Sequence, residues 1–346
     1  MREDDILNNE AYTARTDIYT QSANSLFHFM KQPEFLINSL KKKALFPRYC
    51  VEKIDYLNLS SSEALFSEIA ILDKCFCDIF LHNIGKVFFS NIVEESVENF
   101  EEEIRDNLPQ KNSHTDFYGE YGIAFSKSWG EKNGIQPVWY INSRGTIPQT
   151  LQESWKIVME NDDLPIEFSN DLLRRFSYIK PLKGMMTRNN ITVSLNKDLH
   201  DKEGNSIAEY EVSVMYEKNF HDEQEWRYVP SEESLNEVEL DCVVANKNLM
   251  IADKGHRSYI DIINKQIEND EKYKCLWLNY DYTDIRYLVV PNSLARKELI
   301  TAIMNLPSEN FILNDIENED KDEVVQVQKM ILASKILVLS DIKGDV

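Results

Sequence analysis

Residues 221–230, His221-Asp222-Glu223-Gln224-Glu225-Trp226-Arg227-Tyr228-Val229-Pro230, constrain this chain more than any other stretch. Trp-Arg-Tyr-Val has the aromatic and β-branched content of a strand, and two carboxylates stand one residue apart at its start. In extended backbone, residues of one parity share a face. The sequence therefore predicts Glu223, Glu225 and Arg227 on one side, with Gln224, Trp226 and Tyr228 on the other. The aromatic side is a packing face. The ionic side cannot be buried unless each charge meets a partner, so the segment is either a functional site or a salt-bridged strand end.

The chain around it has 346 residues, 42% of them hydrophobic and 11% aromatic, enough for a substantial core. No Pro/Gly/Ser-rich linker divides it, so residues 21–346 are expected to form a single α+β domain, preceded by a loose polar arm at 1–20. Against 59 acidic residues stand 38 basic ones, a net charge of −21. That balance repels nucleic acid and anionic membrane. It leaves room for a basic partner, including the reading of the chain as an acidic decoy that engages a nucleic-acid-binding protein. Five cysteines make no disulfide framework. The acidic N-terminus lacks an apolar leader, and no run approaches the roughly 18 apolar residues of a membrane span, which points to a cytoplasmic protein.

Periodicity orders the rest. Leu26-Phe27-His28-Phe29 reads as a strand, and 33–45 as the helix after it. Ser60-Ser61-Ser62-Glu63 has the form of a capping box for a short helix, and 69–77 reads as buried extended chain. Val93, Val97, Phe100 and Ile104 recur at helical spacing, with glutamates filling the other face. Residues 121–126 and 138–141 are strand-like, either a hairpin or neighbouring strands, and 149–160 and 169–178 are helical. The polar 187–209 stretch suggests a hairpin with a long loop or an insertion, placed at 185–209. A strand at 284–291, a helix at 294–306 capped by Asn292-Ser293, an acidic loop at 314–323, a helix at 324–333 and a strand at 335–339 complete the chain. Dispersed strands and helices of this kind imply an α+β fold, a central mixed or antiparallel sheet with peripheral helices.

Candidate chemistry is sparse. Paired carboxylates at 223 and 225 suit a reaction in which one acid stabilises a developing cation and the other polarises a nucleophile. His28, alone on an apolar strand, is either catalytic or a hydrogen-bonded core histidine. His114 and the run Tyr118-Gly119-Glu120-Tyr121-Gly122 offer aromatic faces for a planar ring, or simply a turn leading into a strand. Cys75-x-Cys77 with Asp78 and His82 lacks both zinc spacing and a second ligand pair, so no metal site is expected. Phosphate-loop, dinucleotide, zinc-protease and serine-hydrolase motifs do not occur.

Together these blocks resemble the AbiGi-type abortive phage resistance proteins of bacteria. The residues that carry the resemblance are Leu26 to Phe29, Cys75-Phe76-Cys77-Asp78-Ile79, His114 with Tyr118 to Gly130, Pro137 to Tyr140, Glu223 to Pro230 and Asp284 to Val290. The sequence departs from that pattern at Phe80, where a proline commonly follows Asp-Ile, and around 185–209, which looks expanded. The resemblance implies a role in phage defence through a partner, a neighbour-encoded toxin of nucleotidyltransferase type or a phage-derived protein, in a toxin-antitoxin-like system. A more distant resemblance is to ADP-ribosyltransferase-like folds, which carry a first-strand histidine or arginine, a middle-strand aromatic or serine, and a final E-x-E. That resemblance implies an NAD-using effector. Glu225 would stabilise the oxocarbenium-like ribose, Glu223 would orient the acceptor, His28 would hold the NAD ribose and Tyr121 would stack on nicotinamide. Tyr118, Ser126, His114 and Arg227 complete the candidate substrate- or cofactor-binding set.

Overall fold

A computed structural model describes residues 23–60, 65–161, 163–200, 206–244, 254–311 and 321–344. The elements that matter below are β1 (Ser25–Met30), α1 (Pro33–Lys42), β2 (Arg48–Lys53), β3 (Glu68–Cys77), β4 (Asn91–Ile92), α2 (His114–Tyr118), β5 (Tyr121–Ser126), β6 (Gln136–Pro137), α3 (Ile147–Glu160), α4 (Ile166–Phe176), β7 (Ile179–Pro181), β8 (Lys183–His200), β9 (Ser206–Asn219), β10 (Glu225–Tyr228), α5 (Lys254–Asn269), β11 (Ile285–Val290), α6 (Ser293–Met304), α7 (Lys321–Ser334) and β12 (Ile336–Val338).

The central sheet runs β6-β10-β3-β1-β5-β11-β12, with β2 and Val243–Val244 also paired to β3. Its neighbours on the main path are antiparallel except β11 and β12, which are parallel, so the sheet is mixed and the fold is α+β. Alternation of side chains divides the core into two faces. On one, Leu26, Met30, Phe76, Ile123, Phe125 and Leu288 pack beneath Leu36 and Leu40 of α1, Leu299 and Ile303 of α6 and Val325 and Leu332 of α7. On the other, Phe27, Phe29, Cys77, Ala124 and Val289 form one cluster. Ile69 and Ile71 form another there with Trp155 of α3 and Leu172 and Phe176 of α4. The helices end as their sequences direct: Pro33 opens α1, and the Asn292 side chain accepts from the N–H groups of Leu294 and Ala295 at 3.0 Å to open α6.

Several local expectations change. Leu59–Ser60 pairs as a strand with Leu65–Phe66, where a capped helix was expected to start, and residues 61–64 lie outside the described residues. The predicted 90–104 helix is instead β4, a 3-10 turn at Glu94–Ser96 and a five-residue helix at Glu102–Asp106. Its apolar spacing records burial, since Val97 and Ile104 both enter one cluster. A continuous helix would set Glu94, Glu98 and Glu102 four residues apart, a repulsive arrangement. Trp139–Ile141 pairs in parallel with β7 and not with β5. Residues 185–200 and 206–209 belong to a long antiparallel pair, β8 with β9, and 201–205 lie outside the described residues. Of the segment read as an acidic loop, Lys321–Glu323 are the first turn of α7 and 314–320 lie outside the described residues, as does the 1–20 arm. Among the described residues no helix is long and apolar enough to cross a membrane.

Candidate functional site

The acidic block does not form one continuous strand. Phe220–Glu223 is a 3-10 turn, Gln224 sits at φ 44°, and the strand begins only at Glu225. Glu223 therefore does not share a strand face with Glu225 and Arg227, as alternation from the sequence predicts. The left-handed Gln224 swings it round, and the two carboxylates still converge on one cation. Lys180 of β7 places its ammonium 2.5 Å from Glu225 Oε2 and 3.3 Å from Glu223 Oε2.

From there the ion pairs spread in both directions. Arg227 Nε donates to Glu225 Oε1 at 2.6 Å, Nη2 to Glu52 Oε1 at 2.8 Å and Nη1 to the Ser177 carbonyl at 2.9 Å. Asp73 Oδ2 lies 3.5 Å from the same Nε. On the far side, Glu223 Oε1 receives both the Lys218 ammonium of β9 and the Tyr118 hydroxyl of α2. Lys218 also lies 4.4 Å from the centre of the Tyr118 ring, and Lys180 lies 4.6 Å from that of Phe220. The Glu225 N–H donates to the Tyr140 hydroxyl at 2.7 Å. Three cations and four carboxylates thus form one chain of contacts. Arg227, Glu223, Glu225, Asp73, Lys180 and Lys218 are all buried.

Burial sets the electrostatics and the partners correct it. Desolvation alone would raise both glutamates. For Glu225, Arg227 and Lys180 outweigh it, and for Glu223, Lys180 and Lys218 do, so both carboxyls are held below the usual range and remain ionised. Lys180 is likewise raised by its two glutamates against desolvation. Asp73 is the exception. Burial, reinforced by Glu225 and Glu52, pushes its carboxyl up to about 7 even though Arg227 opposes the rise. His114, whose ring lies 4.5 Å from that of Tyr118, is driven down to about 3 by burial and Lys218, so it is a neutral imidazole.

Of the residues singled out from the sequence, the fold brings together Glu223, Glu225, Arg227, Tyr118 and His114. It places the others elsewhere. Register puts Phe27 opposite Cys77 and Cys77 opposite Glu225, so His28 belongs to the other face of the sheet. There it has a structural task. On one edge β3 pairs with β1 at Cys77 and with β2 from Asp73 downward, and at the fork between them His28 Nδ1 donates to the Cys75 carbonyl at 2.8 Å. Nε2 of that tautomer then accepts from Lys74 Nζ at 3.4 Å. Tyr121, opposite Met30, packs on the same side as His28. Ser126 caps the Lys127–Lys132 helix, its Oγ accepting from the Trp129 N–H at 3.1 Å.

Reading the sequence missed Lys180, Lys218, Asp73 and Glu52. Their signal is weak but present: charges in strand-like contexts, as in Ile179-Lys180-Pro181 and Tyr216-Glu217-Lys218. Chemically the cluster is a closed clasp. Both oxygens of Glu225 are engaged, and Glu223 meets two ammonium groups and a phenol. Among the described residues no group of three or more His, Cys, Asp or Glu side chains is arranged to hold a metal ion.

No solved structure is similar to the chain at a significant level. A family model described as "Putative abortive phage resistance protein AbiGi, antitoxin" matches residues 107–291, which span α2, the β8–β9 hairpin, β10 and β11. The abortive phage resistance protein AbiGi of Lactococcus lactis subsp. cremoris is 30% identical over 308 residues, covering 87% of this chain and 99% of that protein. With a family model matching more than half of the sequence and a relative aligned over nearly its whole length, the chain belongs to the AbiGi family.

Proposed function

We propose that the protein acts in abortive phage resistance as the antitoxin-type member of a two-component system, and that it works by binding a separate toxin protein. The observation that carries this reading is the match of residues 107–291 to a family described as an antitoxin. The closed clasp supports it. The part of the chain most suggestive of catalysis is an internal ion-pair network that joins β2, β3, β7, β9, β10 and α2 into one body, suited to holding a surface in shape.

The ADP-ribosyltransferase-like alternative requires His28, Tyr121 and Glu225 to line one cleft around NAD. The register sets the first two on the sheet face opposite Glu225, so no observation favours that reading over binding.

Coexpression tests the proposal. The protein encoded beside this gene, expressed alone, is expected to arrest growth. Coexpression with this chain should restore growth, and the two proteins should co-elute. A Glu225→Gln variant that remains folded should rescue as well as the unaltered chain. Release of nicotinamide from NAD by the purified protein, abolished by Glu225→Gln with the fold intact, would replace this reading with the enzymatic one.

A further inference from the structure

The β8–β9 hairpin carries a third strand that is only begun. β4 pairs antiparallel with β9 at two positions, Ile92 opposite Tyr216 and Asn91 opposite Glu217. Val93 then donates its N–H to the Met215 carbonyl at 2.9 Å, and the Met215 N–H donates to Ser96 Oγ at 3.2 Å. After that the chain leaves the edge in the Glu94–Ser96 turn. From Val214 back towards Ser206, no strand pairs with this edge of β9 among the described residues.

The direction of the unused backbone groups follows from Met215. Its N–H and C=O both point to the β4 side, and in an antiparallel strand every second residue repeats that orientation. The N–H and C=O groups of Ser213, Glu211 and Glu209 therefore face outward along the same edge. Those of Tyr210, Val212 and Val214 face β8, with which they are in register. An open edge of this kind is a template for another strand.

The side chains specify what would fit. Glu209, Glu211 and Ser213 are exposed on one face of β9. Half-buried Tyr210 and Val212 lie on the other, at the margin of the cluster formed by Val97, Ile104, Val214 and Tyr216. The segment that leaves the edge also carries exposed Glu94, Glu95 and Glu98. A strand laid here meets carboxylates on one face and an apolar margin on the other. A second copy of this chain would bring like charges together, since each carries −21.

We propose that the β9 edge from Glu209 to Ser213 binds an extended segment of a partner protein by strand addition, the segment alternating cationic and apolar side chains. This rests on the partner-binding reading above and names the surface that would serve it. Main-chain hydrogen bonds would hold the segment, its Lys or Arg residues would lie against Glu209 and Glu211, and its apolar residues would extend the Tyr210–Val212 margin.

The test uses the full chain and three synthetic octapeptides: alternating Lys and Val, the same composition in two blocks, and alternating Glu and Val. Fluorescence anisotropy should show the alternating Lys-Val peptide binding at least tenfold more tightly than either control. Hydrogen exchange should show it protecting the amides of Glu209, Glu211 and Ser213. Ser213→Pro removes an outward N–H without touching the β8 ladder, a position where edge strands tolerate proline, and should abolish the preference for alternation. Glu209→Lys with Glu211→Lys provides a second variant should the proline unfold the hairpin, and should weaken binding at least tenfold. Equal binding of the block peptide, protection elsewhere, no binding at all, or unchanged affinity in a folded variant would each overturn the edge assignment. None of these outcomes touches the growth-rescue result, so failure here is distinct from failure of the antitoxin reading.

Discussion

His28 and Glu225 lie on opposite faces of the central sheet, separated by the Phe27–Cys77–Glu225 register. His28 closes a fork in the β3 edge, while Glu225 anchors an ion-pair chain that reaches from Glu52 to Tyr118. Each contact yields a measurable consequence.

Replacing Arg227 with Ala should be severely destabilising. The substitution takes one of two cations from Glu225 and removes the cation beside Asp73 and Glu52, and Glu225 and Asp73 are buried. Breaking a buried pair in this way costs about 3–5 kcal/mol. Urea denaturation of Arg227→Ala beside Glu98→Ala, which removes an exposed acid and should shift stability by no more than about 0.5 kcal/mol, checks the contrast. Equal losses would show that the clasp contributes no more than a surface charge.

Lys218 and Glu223 should be energetically coupled, because Glu223 loses one of its two cations when Lys218 is removed. A double-mutant cycle with Lys218→Met and Glu223→Gln is expected to give an interaction of roughly 1–3 kcal/mol. Simple additivity would mean that the contact is not made in solution.

The Asp73 carboxyl, ordinarily near 3.8, lies near 7 in the folded protein. A raised carboxyl means that the native state binds the proton more tightly than the unfolded chain. Its contribution is therefore favourable below about pH 4 and falls as pH rises to 7, by a few kcal/mol at about 1.4 kcal/mol per unit. Asp73→Asn should remove that decline, so the variant should gain stability relative to the parent at pH 8 compared with pH 4. Parallel stability–pH curves for the two proteins would contradict the assignment.

His114 slopes the other way. Its imidazole ordinarily titrates at 6.5 and is held near 3 in the fold, so the neutral ring's contribution is complete above pH 6.5 and is lost as pH falls towards 3. Monitoring the His114 ring by NMR should show no protonation between pH 7 and 5. A midpoint near 6.5 would mean that the ring is solvated.

His28→Ala should destabilise by about 1–3 kcal/mol, because the Cys75 carbonyl loses its donor at the fork. Asn, which keeps a donor, should recover part of that loss. A variant with full stability but no phage protection would instead give His28 a functional role.

Much of the architecture is local and was legible in the sequence. The apolar runs Leu26 to Phe29 and Tyr121 to Ser126 give strands because both of their faces are buried, each in its own cluster. Asn292 before Leu294 gives a helix start because its side chain accepts the first orphan amides. The Glu-Trp-Arg block is among those that carry the resemblance, and it lies within the residues matched by the family model. Three things were decided only by tertiary structure. Lys180 and Lys218 are 45 and 5 residues from the acids they meet, and no spacing rule links residues joined across β7, β9 and β10. The left-handed Gln224 turns Glu223 out of the strand pattern, yet convergence on Lys180 restores its partnership with Glu225. The face on which His28 stands depends on how β1 registers against β3, and register is fixed by the assembled sheet, where a shift of one residue would exchange the faces.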